Sequence, residues 1–280
     1  MLKIQVGNGF YFMYICIAVV YAAAIALILR RKSRKTAYIV LLIILFLNFS
    51  LHFIKQAFVP YINNLPQSIR RSTVENLCAV STVFFPFIFL IKKQTVLHDF
   101  MYFIGVVGGI AALLYPTEAL GMSPFAFDTV RFYICHTNLM VVPLTAAIVG
   151  LYRPRLSKFW AIPLMFLVWE AIICLNEFFL MGVGLVDGEF SDLLNAGFRN
   201  SSFAFGVRPD FAWAAQVLDP LVPWFFKTDA FHINGGEAFY FPVLWLIGPA
   251  FAYLIPVYII VSSPFWIYAL VRKKIRQKDA

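Results

Sequence analysis

A cysteine and a histidine in two apolar stretches have the residue types needed for nucleophilic catalysis. Cys78 lies near the start of the stretch 72–91, and His136 lies within the stretch 128–151. A thiol is a weak nucleophile until it loses its proton, and a histidine within hydrogen-bond reach is its usual activator. We therefore predict that Cys78 is a catalytic nucleophile and that His136 is its general base.

Three carboxylates in the apolar stretches extend this hypothesis. Glu75 precedes Cys78 by three residues, so the two share one face of a helix. Either Glu75 or Glu177 could orient the imidazole as the third member of a triad. Glu170 and Glu177 are seven residues apart and line one stripe of their helix. Because an ionisable residue inside a membrane helix is costly, each is a functional-site hypothesis. We predict catalytic roles for Glu75 and Glu177 and substrate binding for Glu170.

Four further polar residues are predicted to bind substrate. Asn76 is a candidate donor to an oxyanion. Arg131 is the natural partner of Glu170 and Glu177 or, alternatively, a clamp for a phosphate or carboxylate headgroup. It could also simply pair with Asp128, three residues before it. His52, near the end of the stretch 36–56, is the third candidate. Asn176, the residue before Glu177, is the fourth, and it could equally hydrogen-bond to a neighbouring helix.

The other cysteines are weaker candidates. Cys16, Cys135 and Cys174 all fall in apolar stretches, so the sequence does not indicate a disulfide framework. Cys174 shares a face with Glu170 and Glu177 and is a reserve nucleophile. We find no metal-binding or cofactor-binding motif, and we predict neither a metal nor a cofactor.

The composition defines the elements that must position these residues. The chain is 61% hydrophobic and only 13% charged, which indicates an integral membrane protein. We predict an all-α fold, a polytopic membrane helical bundle of about seven transmembrane helices. The predicted spans are 10–29, 36–56, 72–91, 97–115, 128–151, 159–181 and 240–270. The segment 182–239 is predicted to fold as an extracytoplasmic cap of short helices.

Basic residues set the predicted orientation. With seven spans, 15 of the 23 lysines and arginines fall on one side of the membrane, and nearly all acids outside the spans fall on the other. The positive-inside rule then places the amino terminus outside and the carboxyl terminus in the cytoplasm of a multi-pass cell-membrane protein. The net charge of +9 is explained by these clusters, and we find no nucleic-acid motif.

Depth along the spans brings the candidate residues to one layer. With a rise of about 1.5 Å per residue, Cys78, His136, His52 and Glu177 lie roughly 6–12 Å from the outer ends of their spans. Glu75 belongs to the same layer. The sequence thus predicts one site near the outer leaflet.

Four motifs carry a resemblance to a known family. ENLCAVS, FPFIFLIKK, YFIGVVGGIAALLYP and RFYICHTNLM lie within residues 65–152. Together they resemble the YwaF-type multispanning proteins, whose vertebrate relatives include a transmembrane acyltransferase that acts on ether phospholipids. The resemblance implies a helical bundle and a cysteine–histidine acyl-transfer site at Cys78 and His136.

Three functions are therefore open at this stage. The first is a lipid acyltransferase or transacylase with membrane lipids as its partners. The second is a proton- or ion-coupled transporter that uses Glu75, Glu170, Glu177 and His52 as a relay. The third is a receptor or assembly factor without catalytic activity, because topology alone carries no function.

Overall fold

The computed structural model describes residues 2–65, 67–228 and 239–278. The fold class is confirmed: the chain is an all-α polytopic helical bundle. Among the described residues the β structure is one antiparallel ladder of β1 (Lys227–Thr228) with β2 (Phe239–Tyr240). The α-helices in chain order are α1 (Gly9–Arg30), α2 (Arg34–Ile54), α3 (Leu77–Leu90), α4 (Val96–Leu114), α5 (Phe127–Ile148), α6 (Ala161–Gly182), α7 (Ala212–Leu218) and α8 (Ile247–Lys278).

In the described part of the chain, five helical segments are long and apolar enough to cross a membrane. They are Gly9–Arg30, Arg34–Ala57, Val96–Leu114, Ala161–Gly182 and Leu244–Val271. The chain is therefore a multi-pass membrane protein. α3 is apolar but has only 14 residues, about 21 Å at about 1.5 Å per residue, against a hydrocarbon core of about 30 Å. α5 has 22 residues and carries Asp128, Arg131 and His136. Two predictions stay open to test. The first is that α3 and α5 also span the membrane, and the second is the orientation of the termini.

The chain divides into two compact units. Unit 1 comprises Met1–Asn63, Ser81–Leu156 and Val261–Ala280, and unit 2 comprises Asn64–Val80 and Ser157–Ile260.

In unit 1, α5 is the central helix and packs against α1, α2 and α4. Two glycines of α4, one turn apart, allow the closest approach. A Cβ on Gly105 would lie 2.5 Å from the carbonyl oxygen of Leu139, and one on Gly109 would lie 3.0 Å from that of His136. Only glycine fits such a contact between helix backbones. These two residues therefore fix the position of His136 relative to α4.

In unit 2, the described part of the segment after α6 folds into short helical pieces, and its role as an extracytoplasmic cap stays a prediction. These are the 3₁₀ turns Phe190–Leu194, Pro209–Phe211, Asp219–Leu221 and Trp224–Phe226, together with α7. The fully buried Trp245 packs with Val222 and Leu246, and its indole nitrogen donates to the carbonyl oxygen of Phe203 at 3.0 Å. Because the ring is buried and its donor is satisfied, it anchors this segment. Residues 229–238 of the predicted cap lie outside the described residues.

Candidate functional site

The predicted site residues fall into two groups according to their unit. Glu75, Asn76, Cys78, Glu170, Asn176 and Glu177 belong to unit 2, whereas His52, Arg131 and His136 belong to unit 1. The predicted Cys78–His136 pair is thus divided between the units, and its formation stays a prediction. Each group is described by itself.

In unit 2, an arginine from the segment after α6 joins two of the predicted carboxylates. Arg199 donates from Nε to Glu177 Oε2 at 2.5 Å and from Nη2 to Glu177 Oε1 at 3.0 Å. Its Nη2 also lies 3.7 Å from Glu75 Oε2. The Glu177 side chain is only 2% exposed, and that of Arg199 is 16% exposed. A two-pronged contact of this kind satisfies a buried carboxylate. We call Glu75, Glu177 and Arg199 the Arg199 cluster.

The start of α3 lies beside this cluster and differs from the sequence expectation. Residues 67–72 form a 3₁₀ turn, and α3 begins at Leu77 rather than at Ser72. Asn76 caps the helix, because its Oδ1 accepts from the amide of Ala79 at 2.8 Å. Cys78 is therefore half-buried in the first turn of α3, nearer the helix end than the depth argument assumed.

Two serines after Arg199 hold the same helix end. The hydroxyl of Ser202 accepts from the amide of Leu77 at 3.1 Å, and the hydroxyl of Ser201 donates to the carbonyl oxygen of Glu75. The segment that supplies Arg199 thus also fixes the backbone on both sides of Asn76. The oxyanion-donor role predicted for Asn76 is untested, and its side-chain oxygen serves as a cap.

A cavity of about 280 Å³ opens at the Arg199 cluster. It is polar, and an ion pair between Arg208 and Asp210, 2.6 Å apart, lies in its wall. Its lining residues are Glu75, Glu177, Ala196, Gly197, Phe198, Arg199, Asn200, Ser201, Arg208, Pro209 and Asp210. A cavity with charges of both signs suits a small polar or zwitterionic group.

The remaining predicted residues of unit 2 have separate environments. Asn176 donates to the hydroxyl of Thr73 at 3.0 Å, in the stretch between the 3₁₀ turn 67–72 and the start of α3. Glu170 is fully buried, and neither of its carboxyl oxygens has a hydrogen-bond partner among the described residues. Cys174, one turn after Glu170, is buried against Leu193 and Phe205. Burial against apolar side chains leaves Cys174 a poor nucleophile.

In unit 1, the hydrogen bond of His136 defines its tautomer. His136 Nδ1 lies 2.8 Å from the carbonyl oxygen of Phe132, and the centroids of the His136 and Phe132 rings are 4.1 Å apart. Because a carbonyl oxygen only accepts, Nδ1 carries the proton in the neutral imidazole, and Nε2 then has the lone pair of a base. His136 is buried, 7% exposed, so its orientation is fixed by packing as well as by this hydrogen bond.

Asparagines complete the polar interior beside His136. Asn48 donates to the carbonyl oxygen of Cys135 at 3.4 Å, and Asn138 donates to Asn48 Oδ1 at 3.5 Å. His52 is buried one turn after Asn48 on α2. These contacts join α2 to α5 in the predicted polar layer.

Arg131 makes the local ion pair that the sequence offered as an alternative to headgroup binding. Its Nη2 lies 2.7 Å from Asp128 Oδ1, and the hydroxyl of Tyr61 donates to the same oxygen at 2.8 Å. Burial raises the pKa of Tyr61 to about 12, so the phenol stays protonated and keeps this donation. Glu177 thus pairs with Arg199, whereas Arg131 pairs with Asp128.

Sequence reasoning missed Arg199, Ser201 and Ser202. A buried carboxylate near a helix end needs a cation, and the first arginine after α6 is Arg199. That requirement was a usable signal, but helix periodicity cannot show which way an irregular segment folds back.

The helices and their buried polar residues define a multi-pass α-helical membrane protein. A family model described as the TMEM164 family matches residues 5–194, and the chain belongs to this family. None of the curated proteins and none of the solved structures gives a significant match.

Proposed function

We propose that this protein is an integral-membrane lipid acyltransferase or transacylase with Cys78 as its nucleophile. Membership of the TMEM164 family supports a membrane function, and the motifs that resemble YwaF-type proteins and the vertebrate ether-lipid acyltransferase support acyl transfer. The proposal includes two further statements. The chain is related to the YwaF-type proteins, and its site lies near the outer leaflet of the cell membrane.

The observation that carries the proposal is the position of Cys78 in the first turn of α3. Backbone amides at a helix start favour negative charge nearby. Half-burial leaves the thiol accessible, in contrast to the buried thiols of Cys135 and Cys174. Ser202 and Asn76 hold this turn from both sides, so the sulfur atom is presented by a rigid backbone.

His136 is assigned as the general base, and its pairing with Cys78 is part of the proposal. Its Nδ1 donates to the carbonyl oxygen of Phe132, which leaves Nε2 as the basic atom. This is the protonation state that an activator of a thiol needs.

The proposed reaction has two balanced halves. His136 Nε2 takes the thiol proton, the Cys78 sulfur attacks the ester carbonyl carbon of a donor phospholipid, and the C–O bond breaks. The released lysolipid oxygen takes the proton from the imidazolium, and a thioester remains on Cys78. In the second half, His136 takes the proton of an acceptor hydroxyl, whose oxygen attacks the thioester carbonyl carbon, and the C–S bond to Cys78 breaks. The imidazolium then returns a proton to the sulfur.

The Arg199 cluster is assigned to the polar end of the lipid. Arg199 lies in the wall of the cavity beside the start of α3, together with Glu75, Glu177 and Arg208. Cationic and anionic side chains there match the phosphate and ammonium groups of a zwitterionic headgroup. The cavity volume of about 280 Å³ is enough for a headgroup but not for an acyl chain.

Labelling with a lipid-like electrophilic probe tests the proposal. We expect Cys78→Ala and His136→Ala each to abolish labelling of the purified protein. Cys174→Ala is the matched control, because it removes another thiol of unit 2 and should leave labelling unchanged. Retained labelling of Cys78→Ala in a protein that elutes as a single folded species would contradict the assignment.

A second candidate function is supported by Glu170. A fully buried carboxyl group without a hydrogen-bond partner among the described residues is unusual in a lipid-embedded helix and is typical of a proton carrier. In that case the chain is a proton- or ion-coupled transporter. pH-dependent uptake into proteoliposomes that Glu170→Gln or Glu177→Gln abolishes and Cys78→Ala preserves would favour this second function.

A further inference from the structure

A cavity of about 500 Å³ lies in unit 1 where α2 begins and α5 ends. Its lining residues are Arg34, Gln94, Val149, Gly150, Leu151 and Arg153. The lining contains two cations and no acid. None of these residues takes part in the proposed acyl transfer.

Two guanidinium groups converge on Gly150 at this cavity. Arg34 Nη2 donates to the carbonyl oxygen of Gly150 at 2.8 Å. A Cβ on residue 150 would lie 3.3 Å from Nη2 and 3.7 Å from Nε of Arg153. Gly150 also has φ +77°, a conformation that favours glycine. The absence of a side chain therefore leaves room for Arg153 beside the same turn whose carbonyl oxygen accepts from Arg34.

The nearby acid does not neutralise these arginines. Asp99 is fully buried and accepts from the backbone amide, Nε and Nη2 of Arg155 at 2.9, 3.0 and 2.6 Å, so its charge is already matched. Within the described part of the chain, neither Arg34 nor Arg153 forms an ion pair. The Nε atom of Arg153 is buried and has no hydrogen-bond partner there.

Two uncompensated cations at one turn repel each other, and an anion between them would remove that penalty. A guanidinium group presents parallel N–H donors that match the oxygens of a phosphate group. The ring of Tyr268 lies 5.5 Å from the Arg153 guanidinium and supports one side of that group. The volume accommodates a phosphate with its attached substituent.

We propose that this cavity binds a phosphate group, carried either by an anionic phospholipid headgroup or by a small soluble phosphate compound. It is separate from the proposed acyl-transfer site, because its lining residues include neither Cys78, nor His136, nor any member of the Arg199 cluster. If the phosphate site is refuted, the acyltransferase proposal is therefore unaffected. If the acyltransferase proposal is refuted, the phosphate site is likewise unaffected.

The test uses the full chain in nanodiscs with two separate sources of phosphate. One arm compares phosphatidylcholine nanodiscs with nanodiscs that also contain phosphatidic acid. The other arm adds inorganic phosphate or pyrophosphate to phosphatidylcholine nanodiscs. Binding is measured by native mass spectrometry and by the shift of the thermal unfolding midpoint.

The pocket variant is Arg34→Gln with Arg153→Gln, and Arg30→Gln with Lys32→Gln is the matched control. The control removes the same charge from exposed positions outside the cavity lining. We expect the pocket variant to lose at least about tenfold in phosphate affinity per arginine, and the control to lose little. If the double variant does not fold, Arg153→Lys, which keeps the charge and loses the planar donors, should still weaken binding.

The two arms identify the source, and either one supports the site. Selective binding of phosphatidic acid assigns a lipid headgroup, whereas binding of pyrophosphate alone assigns a soluble phosphate. The proposal is overturned if neither probe binds, or if the pocket variant and the control bind equally well. In that event the arginines only cap the carboxyl end of α5, and their removal lowers the unliganded unfolding midpoint without any phosphate dependence.

Discussion

Removal of the Arg199 guanidinium should destabilise the protein far more than removal of an exposed arginine in the same segment. In Arg199→Met, the Glu177 carboxylate would stay in a site where its side chain is 2% exposed, with its cation gone. Removing one partner of a buried ion pair lowers the free energy of unfolding by about 3–5 kcal/mol. Because Arg199 is itself 16% exposed, the lower end of that range, about 3 kcal/mol, is expected.

The reverse change should have a smaller effect. In Glu177→Gln, Arg199 keeps Glu75, whose Oε2 lies 3.7 Å from Nη2. The loss is then that of charge-assisted hydrogen bonds, about 1.5–3 kcal/mol. A double-mutant cycle with both changes should give a coupling free energy of about 2 kcal/mol, since the double variant leaves no buried charge unpaired.

Arg208 and Asp210 supply the matched control cycle. They also form an ion pair, at 2.6 Å, but their side chains are 34% and 55% exposed. Exposed pairs contribute about 0–1 kcal/mol, so Arg208→Met with Asp210→Asn should show a coupling below about 1 kcal/mol. The free energies can be measured by reversible unfolding in mixed detergent micelles. Equal coupling in the two cycles would refute the claim that Glu177 depends on Arg199.

Two further predictions concern packing and pH. Gly105→Ala should destabilise unit 1 by about 1–3 kcal/mol, because its Cβ would lie 2.5 Å from the Leu139 carbonyl oxygen. Gly108→Ala is the control. Its Cβ would lie 4.0 Å from the nearest atom, so the same unfolding assay should show no loss of stability. Partial burial raises the pKa of Asp219, but hydrogen bonds from Lys227 and Tyr240 and the Lys227 charge outweigh it and hold that pKa below its usual range. The stabilising contribution of Asp219 is therefore present above about pH 4 and is lost as the pH falls through the lowered folded-state pKa. The difference in unfolding midpoint between the wild type and Asp219→Asn should shrink on acidification, and a difference that grows would contradict the assignment.

The helical class and the long helices could be predicted from sequence because long apolar runs can bury their backbone polar groups only as helices. α6, for example, occupies Ala161–Gly182, against the predicted span 159–181. The start of α3 could not be predicted as well. Ser72 and Asn76 are both good capping residues, and contacts from the distant Ser201 and Ser202 favour the later start.

The site could be predicted only in part, because it too depends on contacts from distant segments of the chain. Residue type and position in the apolar stretches identified Glu75, Glu177 and His136 as polar groups that need partners, and the structure buries Glu177 and His136. The partner of the two carboxylates comes from an irregular segment, where no periodicity links sequence to position. The tautomer of His136 depends on one carbonyl oxygen, that of Phe132, four residues earlier on the same helix.

The most direct test of the central claim is detection of an acyl thioester on Cys78. Purified protein is incubated with a phospholipid donor in the absence of an acceptor, digested and examined by mass spectrometry. The proposed function predicts one acyl chain on the peptide that contains Cys78, its release by neutral hydroxylamine, and its loss in His136→Ala. An acyl chain on Cys174 instead, or transacylation that persists in Cys78→Ala, would contradict it.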